Sequence, residues 1–290
     1  MIALFGGLIV AGAALAATWF TRRTIRARYE SDELPRDYPI EGAEPVSLDN
    51  GARGVLILHG FGDTPQSVRA LATDLHANGW TVRAPLLRGH GSTLSAFTAA
   101  RAEDWLSDAR TALDELRSRT THVAVIGQSM GGALAIILAS ELRFDVMVLL
   151  TPFVRLSRKG ARIAAFHRVI SLVVPYLRSR SDSSILDPEA RRRALGRGVM
   201  TPRLAHELSV IVDQAWRAAR QIQSPTLVIN SRQDPRITVP DAESAFARLG
   251  SGEKTLKWAT KSGHVLSVDF DCDWVASEIG NWLESHVARV

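Results

Sequence analysis

A single cysteine, Cys272, stands in the 290 residues of this chain, so it can form no internal disulfide and no CxxC or zinc-ribbon site. Phosphate-cradling glycine motifs, zinc-binding spacings, internal repeats and low-complexity runs are also missing. Nothing calls for a metal or an organic cofactor. Disorder is excluded as well, because 46% of the residues are apolar and the length suffices for one large domain.

Charge is absent from the N-terminus. Nineteen residues, Ile2 to Phe20, carry none, and as a helix they would extend about 28 Å, close to the hydrocarbon thickness of a bilayer. Arg22, Arg23, Arg26 and Arg28 follow. No basic residue precedes the run, which argues against a signal peptide, although Ala14-Leu15-Ala16 resembles a cleavage site and leaves secretion open. The expectation is therefore a single-pass transmembrane helix with its basic flank (1–28), whose arginines keep the catalytic domain cytoplasmic. Residues 29–44, acidic and proline-bearing, read as a linker.

From there strand and helix patterns alternate. Val55 to Leu58, Thr81 to Ala84, Val123 to Ile126, Val146 to Leu150, Thr226 to Asn230 and Thr255 to Trp258 read as short buried strands. Gln66 to Asn78, Ala102 to Arg117, the run after Ser129 and Asp273 to Val287 read as helices. This is an α/β chain, predicting a mostly parallel, doubly wound sheet with helices on both faces. The core is assigned to 45–150 and 221–290. Between Leu150 and Thr226 no strand pattern occurs, and "FHRVISLVVPYL" and "AHELSVIVDQAWRAA" are helix-like, so 151–220 reads as an inserted helical cap. That cap carries fourteen Arg and Lys against five Asp and Glu, a net +9, which leaves −4 for the rest. An anionic bilayer beside an anchored domain accounts for those arginines more simply than nucleic acid does.

One stretch, "VAVIGQSMGGALAI", places Ser129 where a buried strand becomes a helix. A turn that sharp drives its central residue toward positive φ and presses the flanking backbones together, which explains Gly127 and Gly131. It lifts the Ser129 hydroxyl clear of the sheet and leaves the Met130 N–H at a helix N-terminus, where it can stabilise an oxyanion. A serine nucleophile needs a base and an orienting acid. Function in doubly wound sheets collects at carboxyl ends of strands, which selects Asp234 in "INSRQDP" and His264 in "KSGHVLS" over the helix-borne Asp213 and Asp241. The order Ser129, Asp234, His264 is that of a hydrolase triad. A second oxyanion donor is expected after Leu58, at the Phe61 N–H in "HGFG"; His59 and His90 read as braces of their loops, and Asp63 as a turn or capping residue.

Together "LILHGFGDTPQSVRALATDLHANGWTVRAPLLRGHG", "GQSMGG", "SRQDPRITVP" and "SGHVLSVD" resemble the α/β-hydrolase superfamily, and within it the small carboxylesterases and monoacylglycerol lipases. The resemblance implies the α/β-hydrolase fold, a triad of Ser129, Asp234 and His264, and an oxyanion hole at Phe61 and Met130. It departs after the GHG turn, where Ser92-Thr93-Leu94 replaces the acidic residue many relatives carry. The function implied is cleavage of a lipid-like carboxylic ester through an acyl-serine, with a small-molecule ester and, through the helix and basic cap, a membrane as partners. A thioesterase, an acyltransferase and a non-catalytic tethered scaffold are the alternatives.

Overall fold

The computed structural model describes residues 2–31, 40–178, 184–196 and 198–287. In chain order the elements are α1 (Ile2–Ser31), β1 (Val46–Leu48), β2 (Arg53–Leu58), α2 (Arg69–Ala77), β3 (Trp80–Ala84), α3 (Leu94–Ala99), α4 (Ala102–Arg117), β4 (His122–Gln128), α5 (Met130–Glu141) and β5 (Val146–Leu150). Then come α6 (Arg158–Ala165), α7 (His167–Val173), β6 (Leu177–Arg178), α8 (Pro188–Arg193), β7 (Val199–Met200), α9 (Pro202–Ala218), β8 (Thr226–Ser231), α10 (Val239–Arg248), β9 (Lys254–Ala259) and α11 (Cys272–His286).

Seven strands form one sheet in the order β1-β3-β2-β4-β5-β8-β9. All pairings are parallel except β1 with β3, where Val46 faces Ala84. The β2 side chains alternate between the two faces. Leu56 and Leu58 join Trp105, Leu113, Leu134 and Ile137 of α4 and α5, whereas Val55 and Ile57 join Leu71, Leu75, Val275 and Ile279 of α2 and α11. Both faces of the central strands are thus covered, as their unbroken apolar runs require. This is the α/β-hydrolase fold, with helices inserted between β5 and β8.

The insertion is not all cap. Leu204, Leu208, Ile211, Val212 and Ala215 of α9 are buried in the same core as α5, each large side chain contributing roughly 2 kcal/mol of burial. The insertion also holds a two-stranded antiparallel ladder, Leu177 opposite Met200 and Arg178 opposite Val199, where the sequence suggests no strand. Two-residue strands are too short to show a period.

The transmembrane expectation is overturned. Backbone from Ile2 to Ser31 is helical, but no helix among the described residues is long and apolar enough to cross a membrane. That helix packs instead against α7 of the insertion. Its Thr18 is buried against the cap, with Oγ1 2.7 Å from Ala14 O and 3.0 Å from Val173 O. The single-pass anchor therefore fails, and with it fall the membrane partner and the cytoplasmic placement drawn from Arg22, Arg23, Arg26 and Arg28. Of the stretch read as a linker, 32–39 lies outside the described residues; beyond it Ile40 N donates to Gly91 O and Ala43 is fully buried.

Candidate active site

At the junction of β4 and α5, Ser129 has φ 55° and ψ −115°. This left-handed conformation is costly for a side chain and persists only where neighbours enforce it. A Cβ on Gly127 would lie 2.3 Å from Gly131 O, and Ser129 N donates to Leu150 O at 2.9 Å, so packing and hydrogen bonding together hold the turn.

Three side chains from three strand ends meet here. His264 Nε2 lies 2.7 Å from Ser129 Oγ, and His264 Nδ1 lies 2.7 Å from Asp234 Oδ2. Side chains of His264 and Asp234 are only 5% and 1% exposed, so their interaction is shielded from water. The carboxylate is itself oriented: Asp234 Oδ1 accepts from the N–H of Arg236 at 2.7 Å and of Ile237 at 3.1 Å. Because a carboxylate accepts, Nδ1 carries the ring proton and Nε2 presents its lone pair to the Ser129 hydroxyl. The histidine backbone is pinned too, its N–H donating to Ser184 O at 2.7 Å and its carbonyl accepting from Thr151 Oγ1 at 2.8 Å. Thr151 likewise has a positive φ, 41°.

Phe61 and Met130 flank Ser129 on the cavity wall. Among the described residues neither backbone N–H donates to another protein group. Below them, Phe61 packs edge-on against His90 and Trp105 and at a tilt against Phe97. His59 Nε2 accepts from Leu87 N at 3.2 Å, while Nδ1 donates to Gly60 O at 2.9 Å. His90 Nδ1 donates to Leu87 O at 3.1 Å. Burial pushes His59 down to about 4 and His90 well below its ordinary value, so both are neutral braces of the two loops at neutral pH. After the GHG turn Ser92 Oγ donates to Gly89 O at 2.6 Å, and Thr93 Oγ1 caps α3 by accepting from Ala96 N.

Ser129 and His264 open into a cavity of about 550 Å³. Phe153, Leu156, Ile163, Leu177, Met200 and Leu208 make much of its wall, all six from the insertion's helices and ladder or the loop that leads into them. Sequence patterns single out neither Thr151 nor Ser184, which hold the histidine.

Residues 51–271 match the family described as "Serine aminopeptidase, S33". The chain belongs to that family. The chain is 29% identical over 239 residues to the thermostable monoacylglycerol lipase of Bacillus sp. (strain H-257), covering 82% of this chain and 93% of the relative. It is 26% identical to the carboxylesterase of Bacillus subtilis (strain 168), covering 83% and 96%. A solved structure of a metagenome-derived lipolytic enzyme superposes with a TM-score of 0.79 at 29% identity, covering 85% of this chain and 99% of that one. This S33 family member is an α/β-hydrolase of the esterase and lipase branch, and a serine hydrolase.

Proposed function

We propose that the chain hydrolyses lipid-like carboxylic esters, monoacylglycerols or other esters of one medium-length acyl chain, with Ser129 as nucleophile, His264 as base, Asp234 as orienting acid and the Phe61 and Met130 amides as oxyanion hole. The observation that carries this reading is the continuous hydrogen-bonded series Asp234–His264–Ser129 at the head of a largely apolar cavity. His264 takes the Ser129 proton as Oγ attacks the ester carbonyl, and the amides receive the developing oxyanion. The imidazolium then protonates the leaving alcohol, leaving an acyl-serine. Water activated by the same histidine releases the acid. Asp234 holds the tautomer throughout.

A cavity of this size exceeds what an acetyl group fills and suits a medium acyl chain. The insertion, residues 151–220, supplies most of the apolar wall, and so this reading assigns it the selectivity for the acyl chain. The names of the two Bacillus relatives agree with it. Peptide N-termini are the poorer candidates. Among the described lining residues the only carboxylate is Asp63, already accepting from Thr64 N and Ser67 Oγ, whereas Arg191 and Arg236 would repel an ammonium group.

The test is activity of purified Ser129→Ala protein against p-nitrophenyl and glycerol esters of graded chain length. Turnover should vanish while the melting temperature stays, and a fluorophosphonate should label the wild type once, at Ser129. Retained turnover in the variant would falsify the nucleophile assignment, and a strict preference for acetyl esters would remove the lipid-like substrate.

A further inference from the structure

Asp269 takes no part in the chemistry above, yet its carboxylate is 1% exposed and among the described residues no cation pairs with it. Its charge is met by four backbone amides instead. Oδ2 accepts from Leu186 N at 2.8 Å and Gly263 N at 2.7 Å; Oδ1 accepts from Asp187 N at 2.8 Å and Phe270 N at 3.0 Å. Each oxygen therefore joins one amide of the insertion to one amide of the loop that carries His264.

The two segments touch elsewhere through backbone that this joint aligns. Ser184 O accepts from His264 N at 2.7 Å and Val265 N at 3.0 Å. A Cβ on Gly263 would come within 2.8 Å of that same Ser184 O, so the contact has no slack. On its far side the strap is held by Arg191, whose guanidinium donates to Ile185 O and Leu186 O at 3.0 Å. Ser184, Ile185 and Arg191 also line the cavity, so the same strap bounds the substrate and holds the histidine.

We infer that Asp269 is a positioning residue that locks the strap Ser184–Asp187 to the His264 loop, so that seating of the insertion sets the alignment of His264 between Asp234 and Ser129. The inference rests on the catalytic reading of His264. A buried carboxylate that accepts only amides has no acceptable substitute, because an amide in its place offers one acceptor and turns an NH2 group toward two donors. Asp269→Asn should consequently break one strap link and one loop link at once.

The experiment compares Asp269→Asn with wild type in kcat and KM for p-nitrophenyl butyrate and in the downfield proton resonance of the His264–Asp234 hydrogen bond. The expected result is a kcat lower by about 100-fold, the scale of a misplacement near 1 Å, with KM little changed and the resonance lost or broadened. An unchanged kcat and resonance together with a lower melting temperature would reduce Asp269 to a purely structural role and overturn the inference. Should the asparagine variant fail to fold, Gly263→Ala forces the same joint apart through Ser184 O without altering any charge, and the same two readouts apply. Ser129→Ala measured in parallel separates the two ideas. If that variant still turns over ester, the catalytic reading falls, and the resonance alone decides whether Asp269 aligns His264 with Asp234.

Discussion

Gly131 lies so close beneath the end of β2 that a Cβ there would sit 2.0 Å from Leu58 O. Backbone cannot yield as a flexible side chain can, so Gly131→Ala must push α5 away from the sheet or reopen the elbow. It should cost more than about 4 kcal/mol and leave little folded protein by circular dichroism. Gly280 in α11 is the control, since a Cβ added there would meet nothing within 4 Å; Gly280→Ala should raise stability by up to about 1 kcal/mol through helix propensity. A folded, active Gly131→Ala protein would contradict the packing account of the elbow.

Asp234→Asn keeps the shape of the orienting group but lets its amide donate to Nδ1, which turns the wrong nitrogen toward Ser129. kcat should drop by about 10⁴-fold with KM nearly constant, because the aspartate touches the base and not the substrate. Steady-state kinetics on a soluble butyrate ester decide this, and a loss below tenfold would argue for a different orienting acid.

Leu208 presents its side chain from α9 to the cavity and is 5% exposed. Leu208→Trp should fill volume that a longer acyl chain needs. The ratio of kcat/KM for octanoate over butyrate should fall by about tenfold, the scale of one or two methylenes lost from an apolar pocket. Some general loss of stability from overpacking, about 1 to 3 kcal/mol, is expected beside it. An unchanged ratio would place the acyl chain elsewhere.

Burial pushes the Asp63 carboxyl up to about 6 from an ordinary 3.8, against the lowering effect of its hydrogen bonds with Ser67 and Thr64. Between those values the unfolded chain has released its proton and the folded one keeps it. Stability therefore falls as pH rises through this window, by up to about 3 kcal/mol, and stays reduced above it. Asp63→Asn should accordingly melt higher than wild type at pH 8 and gain nothing at pH 4. His59 has the opposite sign: pushed down to about 4, it contributes stability above pH 6.5 that is lost on acidification toward 4. With Asp63 gone that loss is unopposed, so the variant should be the more acid-sensitive protein. Equal melting differences at pH 4 and pH 8 would refute the account.

Much of the core was legible because its signals are local. The strand of Val146 to Leu150 and the helix of Ala102 to Arg117 have the same limits in sequence and structure, since buried apolar runs and a 3.6-residue period are properties of short windows. Ser129, Asp234 and His264 could be singled out because parallel topology sends residues after strands to one edge of the sheet. Thr151, Ser184 and Asp269 could not: they act through backbone amides and carbonyls, and a backbone partner leaves no residue pattern to read. Freedom from charge over Ile2 to Phe20 is also a local signal, but it does not reveal that this helix rests on the insertion through Thr18.

The elbow serine and its histidine stand 135 positions apart in the chain, and their strands β4 and β9 are separated in the sheet by β5 and β8. Pairing of β5 with β8 must close a loop that contains the entire helical insertion, and such long-range closure is slow because its entropy cost precedes its contacts. During refolding, helices such as α4 can form early from local contacts while the serine is still without a base. Recovery of fluorophosphonate reactivity should then lag behind recovery of far-ultraviolet ellipticity, which makes the covalent reaction a clock for the last step of topology in this chain.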